Sequence, residues 1–115
     1  MLKPEDELTV LEQTRALIDR GWCQIDYAQD EEENPLYVYS PPEPTYWSLA
    51  GALWDTAQRA RIGQDYPILA GKLRAFLSDP RQELEDFNDL PTTTKQDVIA
   101  LLDRVIADVK ARTNR

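Results

Sequence analysis

Apolar residues recur at three- and four-residue steps in several stretches of the chain, and each stretch predicts a helix with one buried face. The clearest lies near the end, where Val98, Leu101, Leu102, Val105, Ile106 and Val109 make one wide stripe of four to five turns. Thr94 stands before it as an N-cap, and Asp97, three residues on, completes a capping box. At the other end, Val10, Leu11, Thr14, Leu17 and Ile18 predict a helix over residues 4–20, with Glu7, Glu12, Asp19 and Arg20 largely off its apolar side. Glu5, Asp6 and Glu7 suit the positive end of its dipole, and Gly21 reads as a left-handed C-cap. In the middle, Thr45 reads as an N-cap for a helix carrying Trp47, Leu49, Ala50, Leu53, Trp54 and Ala57. This segment is apolar around much of its circumference and includes Ala50, Gly51 and Ala52, which predicts a central buried helix closely approached by another. Pro67 opens a further face of Ile68, Leu69, Leu73, Phe76 and Leu77; Asp79 as cap and Pro80 at the first helical position predict a short helix bearing Leu84 and Phe87.

Between the first and central helices the period changes to two. Trp22 to Ala28 alternates, and Leu36-Tyr37-Val38-Tyr39 is aromatic and branched. Gln29-Asp30-Glu31-Glu32-Glu33-Asn34-Pro35 separates them, so the segment reads as a two-stranded hairpin with an acidic tip, or as extended pieces in an irregular loop. Ser40-Pro41-Pro42-Glu43-Pro44 excludes helix and central strand and predicts a polyproline-like connector. The expected fold is mainly α: a compact single domain over residues 1–115, of four to five helices, with a small β-hairpin or extended pair at about 22–40 and the proline connector at 40–44.

Charge adds an asymmetry. The net charge is −8. Residues 1–60 carry 4 basic and 12 acidic side chains, whereas residues 61–115 carry 9 of each, so the whole excess lies in the first half. Such a chain repels phosphate backbones, which disfavours direct nucleic-acid binding, and it attracts a basic protein surface. No apolar run approaches the roughly 18 residues a membrane span needs, and the acidic N-terminus lacks the pattern of a secretory signal. A cytoplasmic location is therefore expected.

The chain has no histidine and one cysteine. That excludes Ser-His-Asp and Cys-His catalysis within one chain, an internal disulfide and any multi-cysteine zinc site. Cys23, beside Trp22, lacks a base or cation nearby in sequence and reads as a small core residue. Asp26 with Asp30-Glu31-Glu32-Glu33-Asn34 suggests calcium, but no glycine occurs from Asp26 to Asn34 to make the required turn, so a solvated tip is the better reading and no metal or cofactor is expected. Asn88-Asp89 is the most site-like polar pair; its simpler reading is a turn bonded to its own backbone ahead of the last helix. Tyr27, Tyr37, Tyr39, Tyr46, Trp47, Trp54 and Tyr66 crowd the middle of the chain, and residues 22–58 contain no lysine or arginine. An aromatic platform for single-stranded nucleic acid would need such cations.

Trp22 after the first helix, Trp47-Ser48-Leu49-Ala50-Gly51-Ala52-Leu53, and Phe87-Asn88-Asp89 followed by Thr94, Val98, Leu102, Asp103 and Ile106 resemble the family catalogued as domain of unknown function 6197, found in bacteria and their phages. The resemblance covers about residues 8–108. Phe87 stands where that family usually has tryptophan, Ser48 where cysteine is common, and the acidic tip replaces a more usual Asp-Gly turn. The resemblance implies a shared fold and supplies no activity or catalytic residue; the phage setting favours accessory or host-interaction roles.

The expected function is a non-enzymatic protein-interaction module. Its contact face would be the acidic, aromatic segment 26–47, with Asp30, Glu31, Glu32, Glu33, Tyr37 and Tyr39 meeting a protein partner that has a basic surface. Two other classes remain: a phage- or mobile-element-encoded inhibitor that presents carboxylates in place of nucleic-acid phosphates, and an enzyme that uses carboxylates near Asn88 and Asp89.

Overall fold

A computed structural model describes residues 2–37 and 42–113. Among the described residues, five α-helices enclose one core: α1 (Pro4–Arg20), α2 (Leu49–Arg59), α3 (Tyr66–Arg74), α4 (Leu84–Asp89) and α5 (Lys95–Thr113). Three two-residue strands lie between α1 and α2: β1 (Ala28–Gln29), β2 (Pro35–Leu36) and β3 (Tyr46–Trp47). They form an antiparallel sheet in the order β2-β1-β3, pairing Ala28 with Leu36 on one side and with Trp47 on the other. The expected mainly α domain with a small hairpin after the first helix is what the chain forms. Val38, Tyr39, Ser40 and Pro41, part of the expected second strand and proline connector, lie outside the described residues.

The two long helices carry the core. α1 packs along α5 and against α2. Val98, Leu101, Leu102, Val105, Ile106 and Val109 are all buried, as their spacing predicts, and face Val10, Leu11 and Ile18 of α1. The capping box closes at the start of α5: Thr94 N–H donates to Asp97 Oδ2 at 2.8 Å and Asp97 N–H to Thr94 Oγ1 at 3.2 Å. α1 and α2 also meet through polar atoms, because Thr14 Oγ1 and Thr56 Oγ1 lie 2.7 Å apart in the core.

The structure corrects several local expectations. The cap of α2 is Ser48, not Thr45; its hydroxyl accepts from Gly51 N–H at 3.1 Å. Thr45 instead donates its N–H to Gln29 O, in line with the sheet. Trp47 therefore belongs to β3 and is buried there under Arg20, whose guanidinium lies 5.5 Å from the ring centroid. Trp54, on α2, is partly exposed to solvent. A helix-like spacing here reflects two elements meeting the same core.

Gly21 is not a left-handed cap. Its backbone is extended, with φ −173° and ψ 124°. A side chain there would run into the carbonyl of Thr45, so glycine is required for the close approach of β3. Asp79 does not cap a helix either. Its Oδ1 accepts from Arg81 N–H at 3.0 Å in a tight turn, and α4 starts later, after Glu83. Glu7, expected off the apolar face, is buried because α3 and α5 cover it with cations: Lys72 Nζ lies 2.7 Å and an Arg112 nitrogen 3.8 Å from Oε1.

Gly51 sets the distance between α2 and the segment before the sheet. A Cβ at this position would collide with the main-chain carbonyl of Tyr27, which cannot move without breaking its bonds from Ser48. The small residues of this helix thus admit a loop backbone, where sequence suggested another helix. Gly51→Ala is expected to lower stability by about 3 kcal/mol, the high end of overpacking costs, despite the gain of about 1 kcal/mol in helix propensity. Urea unfolding of the two proteins measures the difference.

Candidate functional site

The chain between α1 and β1 is held by residues of α4. Asn88 is fully buried. Its Oδ1 accepts from Trp22 Nε1–H at 2.7 Å and from Leu49 N–H at 3.0 Å, the first residue of α2. Its Nδ2 donates to Cys23 O at 3.1 Å and to Asp89 Oδ1 at 2.9 Å. Asp89 Oδ1 also accepts from Ile25 N–H at 2.8 Å. Gln24 returns the contact, donating from Nε2 to Asn88 O and Leu90 O at 3.0 and 2.9 Å. The pair expected to bond its own turn therefore joins three segments far apart in sequence.

This clamp holds an unusual conformation. Asp26 N–H donates to Gln24 O at 3.0 Å, which makes Ile25 the centre of a three-residue turn with φ 79°. That is a strained region for a β-branched residue, and strain of this kind costs on the order of 1–3 kcal/mol. The turn directs Ile25 outward, leaving it 78% exposed.

Beside the turn lies an apolar groove of about 370 Å³, lined by Tyr27, Tyr37, Ala50, Trp54, Tyr66 and Glu85. The Trp54 and Tyr66 rings meet edge to face, 5.6 Å between centroids and 78° between planes. Tyr27 O–H donates to Glu85 Oε2 at 3.3 Å. Burial, and then the charge of Glu85, hold both Tyr27 and Tyr66 above the usual phenol range. Tyr37 is 89% exposed, Tyr27 54% and Trp54 39%. A second, more polar depression of about 320 Å³ shares Tyr27 and Glu85 and adds Ile25, Asp26, Ser48 and Asp89.

The residues named from sequence do not gather in one place. Tyr37 lines the groove, whereas Tyr39 lies outside the described residues. Asp30 organises the hairpin tip: Oδ1 accepts from Glu32 and Asn34 N–H, both at 2.9 Å, and Oδ2 from Asn34 Nδ2 at 3.2 Å. The bonds from Asn34, then Glu32, hold its carboxyl below the ordinary range. Glu31, Glu32 and Glu33 are exposed around it, and Glu33 takes a left-handed φ of 66°. Glu33 also borders a different depression, with Trp22, Gln24 and Tyr46. Tyr66 and Glu85, far along the chain, escaped the sequence reading as site residues. Glu85 carried no signal, being one acid in a run with Glu83 and Asp86. Among the described residues, no group of three or more potential ligands stands close enough to hold a metal ion.

Cys23 is buried, and its Sγ lies 3.6 Å from Asp26 O. Burial, then Asp26 and Asp89, push the thiol up to about 12.

Two outcomes follow from this geometry. Asn88→Ala leaves the Trp22 indole, the Leu49 amide and the Cys23 carbonyl without their partner, so stability should fall by about 3–5 kcal/mol in chemical denaturation. At pH 8.5 a disulfide reagent should modify native Cys23 roughly a thousandfold more slowly than the denatured chain, because only the thiolate reacts and the buried thiol holds so much less of it than an ordinary one.

No curated protein and no solved structure matches the chain. The family described as "Family of unknown function (DUF6197)" matches it over residues 3–108, which include every described element up to the last turn of α5. With that match spanning the core helices, the sheet and the Asn88 clamp alike, this chain belongs to the family of unknown function DUF6197.

Proposed function

We propose that this chain is a non-enzymatic protein-interaction module whose contact face is the aromatic groove and the strained turn beside it. One observation carries the reading. Tyr27, Tyr37 and Trp54 are large side chains left in solvent around one concavity, and Ile25, on the depression beside it, is kept exposed in a backbone state that costs energy. Exposed aromatic patches of this kind are typical of binding surfaces. The polar groups nearby are engaged in holding the fold: the Ser48 hydroxyl caps α2, the Asn88 carboxamide is fully bonded and the Cys23 thiol is kept protonated. The acidic tip contributes long-range attraction for a basic partner rather than close packing.

The carboxylate-using enzyme retains one supporting observation, the depression lined by Asp26, Glu85 and Asp89. Against it, Asp89 Oδ1 already accepts from both Ile25 and Asn88. The nucleic-acid mimic draws less support. The exposed acids Glu31–Glu33 form one tip, while those on α1 and α5 alternate with cations, as in the pairs Arg15–Asp103, Lys110–Glu12 and Arg112–Asp108.

The test separates fold from contact. Ile25→Gly relieves the turn at the expense of glycine's backbone entropy, so stability should be unchanged or raised by about 1 kcal/mol. Affinity capture from the native host should nevertheless lose the retained partner with Ile25→Gly and with Tyr37→Ala. Reversal of Glu31, Glu32 and Glu33 to lysine should weaken capture, more so at low salt. Capture at the wild-type level by both the turn variant and the groove variant would falsify the proposed face.

A further inference from the structure

We propose that the groove receives the guanidinium side chain of an arginine on the protein partner. The inference rests on the groove being the contact face and adds the chemistry of what enters it. Four aromatic rings, those of Tyr27, Tyr37, Trp54 and Tyr66, surround the space, with Ala50 as the small residue that leaves it open. Trp54 and Tyr66 stand nearly at right angles and make a corner. Glu85 is the one carboxylate among the described residues lining the groove, and its Oε2 is oriented by the Tyr27 hydroxyl at 3.3 Å. Aromatic faces attract cations through their quadrupole, and a carboxylate beside them adds a charge-assisted acceptor.

The charge of the surroundings has the same sense. No lysine or arginine occurs in residues 22–58, which supply four of the six lining residues, and the two later ones are Tyr66 and Glu85. The chain's net charge of −8 draws a cation and repels phosphate or carboxylate ligands. Arginine fits better than lysine for two reasons. Its planar guanidinium stacks on rings while forking onto a carboxylate, and it is more weakly hydrated, so entering an apolar groove costs it less. A groove of about 370 Å³ lies at the small end of ligand pockets, matched to one long side chain and its neighbours.

The experiment uses the full chain, labelled with ¹⁵N, and three blocked tripeptides with arginine, lysine or citrulline between glycines. Citrulline keeps the shape of arginine and removes its charge. The arginine peptide should shift the Trp54 indole resonance and the amides of Tyr27, Tyr66 and Glu85. The lysine peptide should bind several-fold more weakly and the citrulline peptide about tenfold or more. Glu85→Gln should cost about tenfold for the arginine peptide and leave citrulline unaffected. If that variant does not fold, the arginine-citrulline comparison on the wild-type chain decides alone. Equal binding of arginine and citrulline, or shifts confined to the acidic tip, overturns the inference. The wider reading then stands or falls separately, because loss of partner capture by Tyr37→Ala tests the groove without reference to charge.

Discussion

One buried carboxamide joins the parts of this molecule that chain order keeps apart. Asn88 accepts from the Trp22 indole and from the first amide of α2, and donates to the Cys23 carbonyl and to Asp89. A buried amide satisfied on both sides is stabilising, and the same group left half-bonded is costly. The short helix α4, the chain leaving α1 and the start of α2 are therefore mutually dependent. None can shift without exposing an unpaired donor or acceptor in a dry site. One buried polar atom nearby does lack a partner among the described residues, the indole nitrogen of Trp47, whose ring instead lies under Arg20.

From that clamp the surface features follow. Fixing Cys23 and Ile25 to α4 leaves the chain only Asp26 and Tyr27 before β1, and Ile25 takes the positive φ. Gly51 then lets α2 approach the Tyr27 carbonyl, while Ser48 donates to that carbonyl at the helix start. Tyr27 is held between them with its ring toward Glu85, and Trp54, one turn further along α2, faces Tyr66. The groove is what remains between elements whose spacing is set by backbone contacts.

The acidic tip and the groove are physically distinct parts of the proposed face. Asp30 ties the tip into a tight turn, which leaves Glu31, Glu32 and Glu33 as solvated charges. Charges in that position act at long range and are screened by salt, so in the proposed role they would set how fast a basic partner arrives. In the same proposed role, aromatic rings around a concavity would set how long it stays.

The long helices were legible in the sequence because their signal is local and repeated. The stripes Val10–Ile18 and Val98–Val109, and the Thr94–Asp97 box, depend on a period and a cap that any isolated segment displays. The missing histidines follow from composition and the charge asymmetry from residue order, with no need of a fold. What the tertiary structure decided was every feature that depends on a partner distant in the chain. Whether Asn88 and Asp89 bond their own turn or a loop about 65 residues away rests on α4 meeting that loop. Whether Trp47 is helix or strand rests on pairing with Ala28, and whether Gly21 is a cap or a contact point, and Gly51 admits a helix or a loop, rests on which backbone comes near. Tyr66 and Glu85 joined the groove for the same reason: a surface is assembled from side chains brought together in space, and sequence spacing carries no record of that until the core has folded.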